Sequence, residues 1–282
     1  MHERSVEPIA EQPVGMIDLL DGSFAALRQR ARTMVTLVAG LVVPLSLLQA
    51  WVARDDLGGA TFTDLLNDPT VAEEVSRAGS VYDVGFFVAQ GVGLLVTAVA
   101  GVGVARVMAG WFDGREVTAG EAIAFVGRRA GPILGAFVVV HVAELIGILL
   151  LVLPGLAAIV LFSLTSPVLA VEQLGPVAAV RRSAELVRRR AAAVVGVIVL
   201  VGIVQYAVSQ AVGTLPGLVA LFIGPDRAWP LVAASNLLTS IILVPVNGAA
   251  MCLVYYDIRF RTEGLDLRRR IDRTFDRPGN GP

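Results

Sequence analysis

The chain has 282 residues, 55% of them apolar, with a net charge of −1 and a mean hydropathy of +0.72. That composition exceeds the apolar share of soluble domains and excludes a basic nucleic-acid-binding protein. All 23 basic residues are arginine, and the single cysteine, Cys252, excludes an intrachain disulfide or a cysteine-built metal site.

Residues 1–32 are polar and contain an amphipathic segment in which Met16, Leu20, Phe24 and Leu27 share one helical face, followed by Arg28, Arg30 and Arg32. Glu7, Glu11, Asp18 and Asp21 precede the first apolar run, which argues against a cleaved secretory leader. The first span is expected over 34–52. An acidic loop follows, in which Asp68 before Pro69 marks the start of a short helix through Arg77. The second span, 86–111, carries Gly93, Thr97, Gly101, Ala105 and Ala109 at every fourth position. Such a small-residue stripe lets a neighbouring helix approach closely where no hydrophobic drive exists between helices. The glycine pairs in this run lack the preceding strand that a dinucleotide loop needs, so no cofactor is expected there.

Thr118 and Glu121 have capping-box spacing and open a short helix that ends at Arg128 and Arg129. The third span, 132–153, turns at Pro154 and Gly155 directly into the fourth, 154–171, so these two helices must be antiparallel neighbours. Ser163, Thr165, Ser166 and Pro167 predict a kink whose freed carbonyls are met by the hydroxyls. A basic helix follows. Its apolar stripe is Val177, Val180, Ala184 and Val187, and Arg181, Glu185 and Arg189 form an i, i+4 ladder on another face. The fifth span covers 191–212, a link with Pro216, Gly217 and an apolar piece 218–223 follows, and the sixth span covers 231–254. The tail, 255–282, holds a last amphipathic helix with Arg268, Arg269 and Arg270.

The fold class expected is therefore all-α: a six-helix membrane domain over 33–254, with short interfacial helices. Each span reaches the ~20 apolar residues that a bilayer requires. All arginines except Arg54, Arg77 and Arg227 fall at one set of helix ends, which places both termini in the cytoplasm by the positive-inside rule. The pattern of surface helix, span, outer turn and span occurs three times, starting near Gly15, Gly120 and Gly175. Arg28, Arg30, Arg32, Arg128, Arg129, Arg181, Arg182, Arg188, Arg189, Arg190 and Arg268 to Arg270 are the expected contacts to anionic head groups of the inner leaflet.

His141 and Glu144 stand three residues apart near the middle of the third span. An ionisable group at that depth is a site hypothesis by default and needs a partner. Gln205, Tyr206 and Gln210 on the fifth span and Asn236 and Thr239 on the sixth lie at comparable depth and are the expected partners. A structural polar cluster and a ligand or proton pathway both fit this pattern. A metal site is disfavoured because His141 is the one histidine in the spans, and a serine nucleophile near Ser163 would have His141 as its only base. Arg106, near the inner end of the second span, is expected to snorkel to the interface.

Three stretches carry a family likeness. The run Leu153, Pro154, Gly155 through Pro167, Glu172, Gly175, Ala179, Arg182, Ser183, Leu186 and Val187, with Leu20, Asp21, Gly22, Phe24 and Glu263 to Asp266, resembles the membrane domain of bacterial glycerophosphoryl diester phosphodiesterases and related stand-alone multi-pass proteins. In those enzymes catalysis belongs to a separate soluble barrel rich in histidine and carboxylates. This chain has two histidines and no room for that barrel. Phosphodiesterase activity is therefore not carried over by the resemblance. The small-residue stripe and the basic interfacial helices lead to the expectation of a non-enzymatic protein of a bacterial cytoplasmic membrane, serving as a scaffold, organiser or accessory subunit with a protein partner or a second copy. A transporter or lipid-binding bundle around Glu144 is the alternative.

Overall fold

A computed structural model of the chain describes residues 16–52, 68 and 84–264. The predicted helix over 69–77 and the tail helix with Arg268, Arg269 and Arg270 lie outside the described residues. Among those described, the elements are helices without strands: α1 (Met16–Val52), α2 (Val84–Phe112), α3 (Ala119–Arg128), α4 (Ala130–Leu150), α5 (Val152–Phe162), α6 (Thr165–Val171), α7 (Pro176–Arg189), α8 (Ala191–Ile223) and α9 (Pro225–Glu263).

Five stretches among the described residues are long and apolar enough to cross a membrane: Gln90–Phe112, Ala130–Leu150, Val152–Val171, Ala191–Ile223 and Pro230–Glu263. The chain is an integral membrane protein by that measure. The remaining expected span, the first at 34–52, is helical as the second half of α1, but its side chains are described only as far as Pro44.

Several boundaries differ from the sequence expectation. Pro154 does not make the turn between the third and fourth spans. The turn is Leu151 alone (φ −167°, ψ 144°), and Pro154 sits in the first turn of α5, where a missing N–H leaves no bond unmade. Hairpin closure depends on Gly147, since a Cβ there would lie 2.8 Å from the Gly155 backbone. The expected link after 212 is absent as well: α8 runs on through Pro216 to Ile223 and ends at Gly224 (φ 88°), and 218–223 is its last stretch. The sixth span likewise continues nine residues past 254 to Glu263, capped by left-handed Gly264.

The core lies toward the arginine-rich end. There Met34, Leu37 and Val38 of α1, Val102 to Met108 of α2 apart from Arg106, Leu164 and Val168 at α6, and Ala249 to Ile258 of α9 are buried together. Gly248 of α9 lets the Val104 side chain of α2 approach, as a Cβ would fall 2.9 Å from Val104 Cγ1. The far halves of α4 and α8 present Leu149, Leu150, Ile203 and Tyr206 outward, as lipid-facing surface requires.

Breaks between surface helix and span fall at arginines: Arg30 (φ −117°, ψ 21°) inside α1, Arg129 (φ −105°, ψ 13°) between α3 and α4, and Arg190 (φ −145°, ψ 42°) between α7 and α8. Of the four described positive-φ residues, three, Gly114 (φ 67°), Gln173 (φ 53°) and Gly264 (φ 59°), follow an acid, Asp113, Glu172 or Glu263, at the end of α2, α6 or α9; the fourth, Gly224, follows Ile223.

Candidate functional site

The basic helix α7 is a packing element rather than a helix merely lying on the interface. Ala179, Val180, Ser183, Ala184, Leu186 and Val187 are buried, and of the predicted apolar stripe only Val177 faces outward. Ser183 has a specific task at the α5–α6 break. Its hydroxyl donates to the Leu161 carbonyl (2.8 Å) and accepts from the Leu164 N–H (3.1 Å). The kink itself is where the hydroxyl cluster predicts it. Ser163 Oγ donates to the Val160 carbonyl and Thr165 Oγ1 to that of Phe162, while Ser166 faces Gly101 of α2.

At the arginine-rich end the structure turns Arg182 and Arg190 onto protein carboxylates. Arg182 Nε reaches both oxygens of Glu172 at 3.1 Å, and its Nη2 donates to Glu263 at 2.5 Å. Burial alone would lower the Arg182 pKa, but its hydrogen bonds to Glu263 and Glu172 outweigh that and hold it above the usual arginine value. Buried Tyr255 donates to Glu172 (2.9 Å) and accepts from Arg259 (2.7 Å), whose Nε donates to Glu263 (2.8 Å). Asp257 accepts from Arg190 (3.2 Å) and Arg261 (2.7 Å). This network ties the ends of α6 and α9 to α7. Sequence reading missed it because Arg182 and Arg190 are far along the chain from Glu263 and Asp257, although the i, i+4 spacing of Arg259 with Glu263 and of Asp257 with Arg261 was a local signal.

Other arginines divide clearly. Arg30 pairs with Glu116, Arg129 donates to the Leu174 carbonyl at 2.6 Å, and Arg181 pairs with Glu185 as its spacing predicts. Arg189 lies 3.8 Å from Glu263. Arg106 does not snorkel freely; its guanidinium lies 4.8 Å from the centre of the Phe125 ring. Arg28, Arg32, Arg128 and Arg188 are exposed, with no ion pair among the described residues.

The mid-span polar cluster is not assembled as expected. His141 Nε2 is 3.9 Å from Glu144 Oε2, beyond hydrogen-bond distance. Its Nδ1 donates to the Phe137 carbonyl at 2.9 Å, and the ring lies tilted against that of Phe137, with centroids 4.1 Å apart. Among the described residues no hydrogen bond joins Glu144 to Gln205, Tyr206, Asn236 or Thr239. Gln210 donates to Tyr206, whose ring is exposed, Asn236 is exposed, and Thr239 donates to the Ser235 carbonyl. The cause is helix adjacency: α4 packs on α5 and α7, whereas α8 packs on α9.

His141 faces elsewhere, toward α2, α6 and α9. Two adjoining cavities, about 140 and 210 Å³, share Ala98, His141 and Ser166 in their walls. Thr97, Asn247 and Met251 complete the larger one. Of the small-residue stripe, Gly101 helps to line it, Ala105 and Ala109 are buried, and Thr97 donates back to the Gly93 carbonyl. No hydrogen bond links His141 to Ser163, Thr165 or Ser166 among the described residues, so a serine–histidine pair is not formed there. No protein family, curated protein or solved structure matches the chain.

Proposed function

We propose that the chain is a non-enzymatic membrane scaffold or organiser, held in a bacterial cytoplasmic membrane with both termini inside. In this reading it gathers anionic lipid around its arginine-rich end. The observation that carries the reading is the division of the arginines: Arg28, Arg32, Arg128 and Arg188 stay exposed at the ends of the spans, while Arg182 and Arg190 are neutralised by the protein. An arginine beside anionic head groups contributes ~1 kcal/mol, so four act additively.

A threefold repeat is part of the proposal. In each unit the arginine at the break reaches the end of the same unit's second span: Arg30 to Glu116 after α2, Arg129 to Leu174 after α6, and Arg190 to Asp257 within α9. The acid followed by a left-handed residue at each of those ends supports the same register.

The test is reconstitution into vesicles of phosphatidylcholine with phosphatidylglycerol, reading the lipid shell by quenching from labelled lipids. Enrichment of phosphatidylglycerol that disappears in Arg28→Ala/Arg128→Ala/Arg188→Ala is expected. A shell matching the bulk composition overturns the reading.

A further inference from the structure

We infer that the paired cavities beside His141 form a binding site for an uncharged lipid alcohol, a hydrocarbon chain ending in a free hydroxyl beside a carbonyl acceptor, as in mono- and diacylglycerols. This inference is independent of the arginine belt.

The polar groups of the walls define the ligand. His141 Nδ1 faces the Phe137 carbonyl, which can only accept, so in the tautomer with the proton on Nδ1 the ring offers Nε2 as an acceptor. Among the described residues, the Ser166 hydroxyl and the Asn247 amide have no hydrogen-bond partner, and both line the larger cavity. Within a membrane span an amide left unpaired is costly. A hydroxyl proton suits His141 Nε2, and a carbonyl oxygen suits the Asn247 N–H groups.

Charge narrows the class. Neither cavity has an arginine, aspartate or glutamate in its wall. His141 lies eleven residues into α4, about 17 Å from its arginine-rich end at 1.5 Å per residue. A phosphate or carboxylate drawn to that depth would find no counter-ion and would lose the arginines at the surface. An uncharged head group meets neither penalty.

Access comes from the bilayer. Leu94 and Thr97, which line the larger cavity, are exposed on α2 within the span Gln90–Phe112. The smaller cavity is walled mainly by Val102, Ile133, Val140, Phe162 and Leu169 and suits the chain of the ligand.

The experiment uses the full chain in phosphatidylcholine vesicles with a diazirine-bearing diacylglycerol. A phosphatidylglycerol probe with the same acyl chains serves for comparison. Diacylglycerol adducts are expected within 94–101 and 244–251, competed by unlabelled diacylglycerol and reduced about tenfold or more by Asn247→Leu or by the plug Ala98→Phe. Phosphatidylglycerol adducts should fall on the outward faces of α4 and α8 and respond to neither substitution. The arginine variants above should leave the cavity adducts unchanged. Diacylglycerol adducts spread over all spans, a lack of competition on the unmodified chain, or equal cavity labelling by both probes would overturn the inference.

Discussion

Ser183 on α7 accepts a hydrogen bond from the backbone N–H of Leu164, at 3.1 Å, where the helix of the fourth span is interrupted. The same hydroxyl donates to the Leu161 carbonyl, so one buried side chain serves two of the backbone groups at the break. Ser183→Ala leaves them unpaired in an apolar core and should cost about 1 to 3 kcal/mol. Thermal unfolding in detergent measures this. A loss no larger than that of Ala184→Gly, a neighbouring small-residue change, would show that the hydroxyl does not hold the break.

The arginine-rich network predicts a strong asymmetry between single and paired changes. Arg182, Glu172 and Glu263 are each about a fifth exposed. Removing one charge strands the others in a poorly solvated place. Glu172→Gln or Arg182→Met alone should cost roughly 2 to 4 kcal/mol, whereas the two together should cost less than the sum of the singles. A double-mutant cycle reads the coupling directly, and additive losses would deny it.

The capping box of α3 is formed, with Thr118 Oγ1 accepting from the Glu121 N–H and Glu121 Oε2 from the Thr118 N–H. Hydrogen bonds from the Thr118 backbone and hydroxyl hold the Glu121 carboxyl below its ordinary value. A lowered folded pKa means that the stabilisation is complete above the ordinary carboxylate range and fades as pH falls through the lowered value. Amide protection at the start of α3, taken relative to the intrinsic exchange rate at each pH, should therefore fall at acid pH. In Glu121→Gln that acid dependence should vanish, and its persistence would point to another group.

Two glycine substitutions should act in opposite directions. Gly147→Ala places a methyl group 2.8 Å from the Gly155 backbone, so the α4–α5 hairpin must spread, at a cost of about 1 to 3 kcal/mol. Gly202→Ala meets open space inside α8 and should gain up to ~1 kcal/mol from helix propensity. Unfolding of both variants in one detergent gives the comparison, and equal effects would contradict the close contact.

Local features of the sequence translated well into structure. The capping box, the hydroxyl-rich kink, the Arg181–Glu185 pair and the continuous apolar helices all depend on residues within one or two turns of each other. What failed depended on neighbours distant in sequence. Glu144 has the depth of a site residue, but depth does not say which helix stands opposite, and Gln205 and Asn236 belong to a different helix pair. Asn247 drew no attention because it follows Pro245 in an apolar run, and only the approach of α2 and α6 makes it part of a wall. Pro216 and Gly217 read as a link, yet Pro216 is buried within a continuous helix. The arginines Arg182 and Arg190 look alike in sequence to Arg188, and only the fold distinguishes those that meet a carboxylate.

The hairpin at Leu151 has a consequence for how the protein presents itself to the opposite side of the membrane. From Leu145 to Phe162 no side chain is polar, and the turn takes one residue, whose N–H is bonded to the Gly147 carbonyl. This corner offers no loop for a protease to cut, no amine for an aqueous reagent to modify and no epitope for an antibody to grip. To soluble molecules on that side, two of the membrane crossings are invisible.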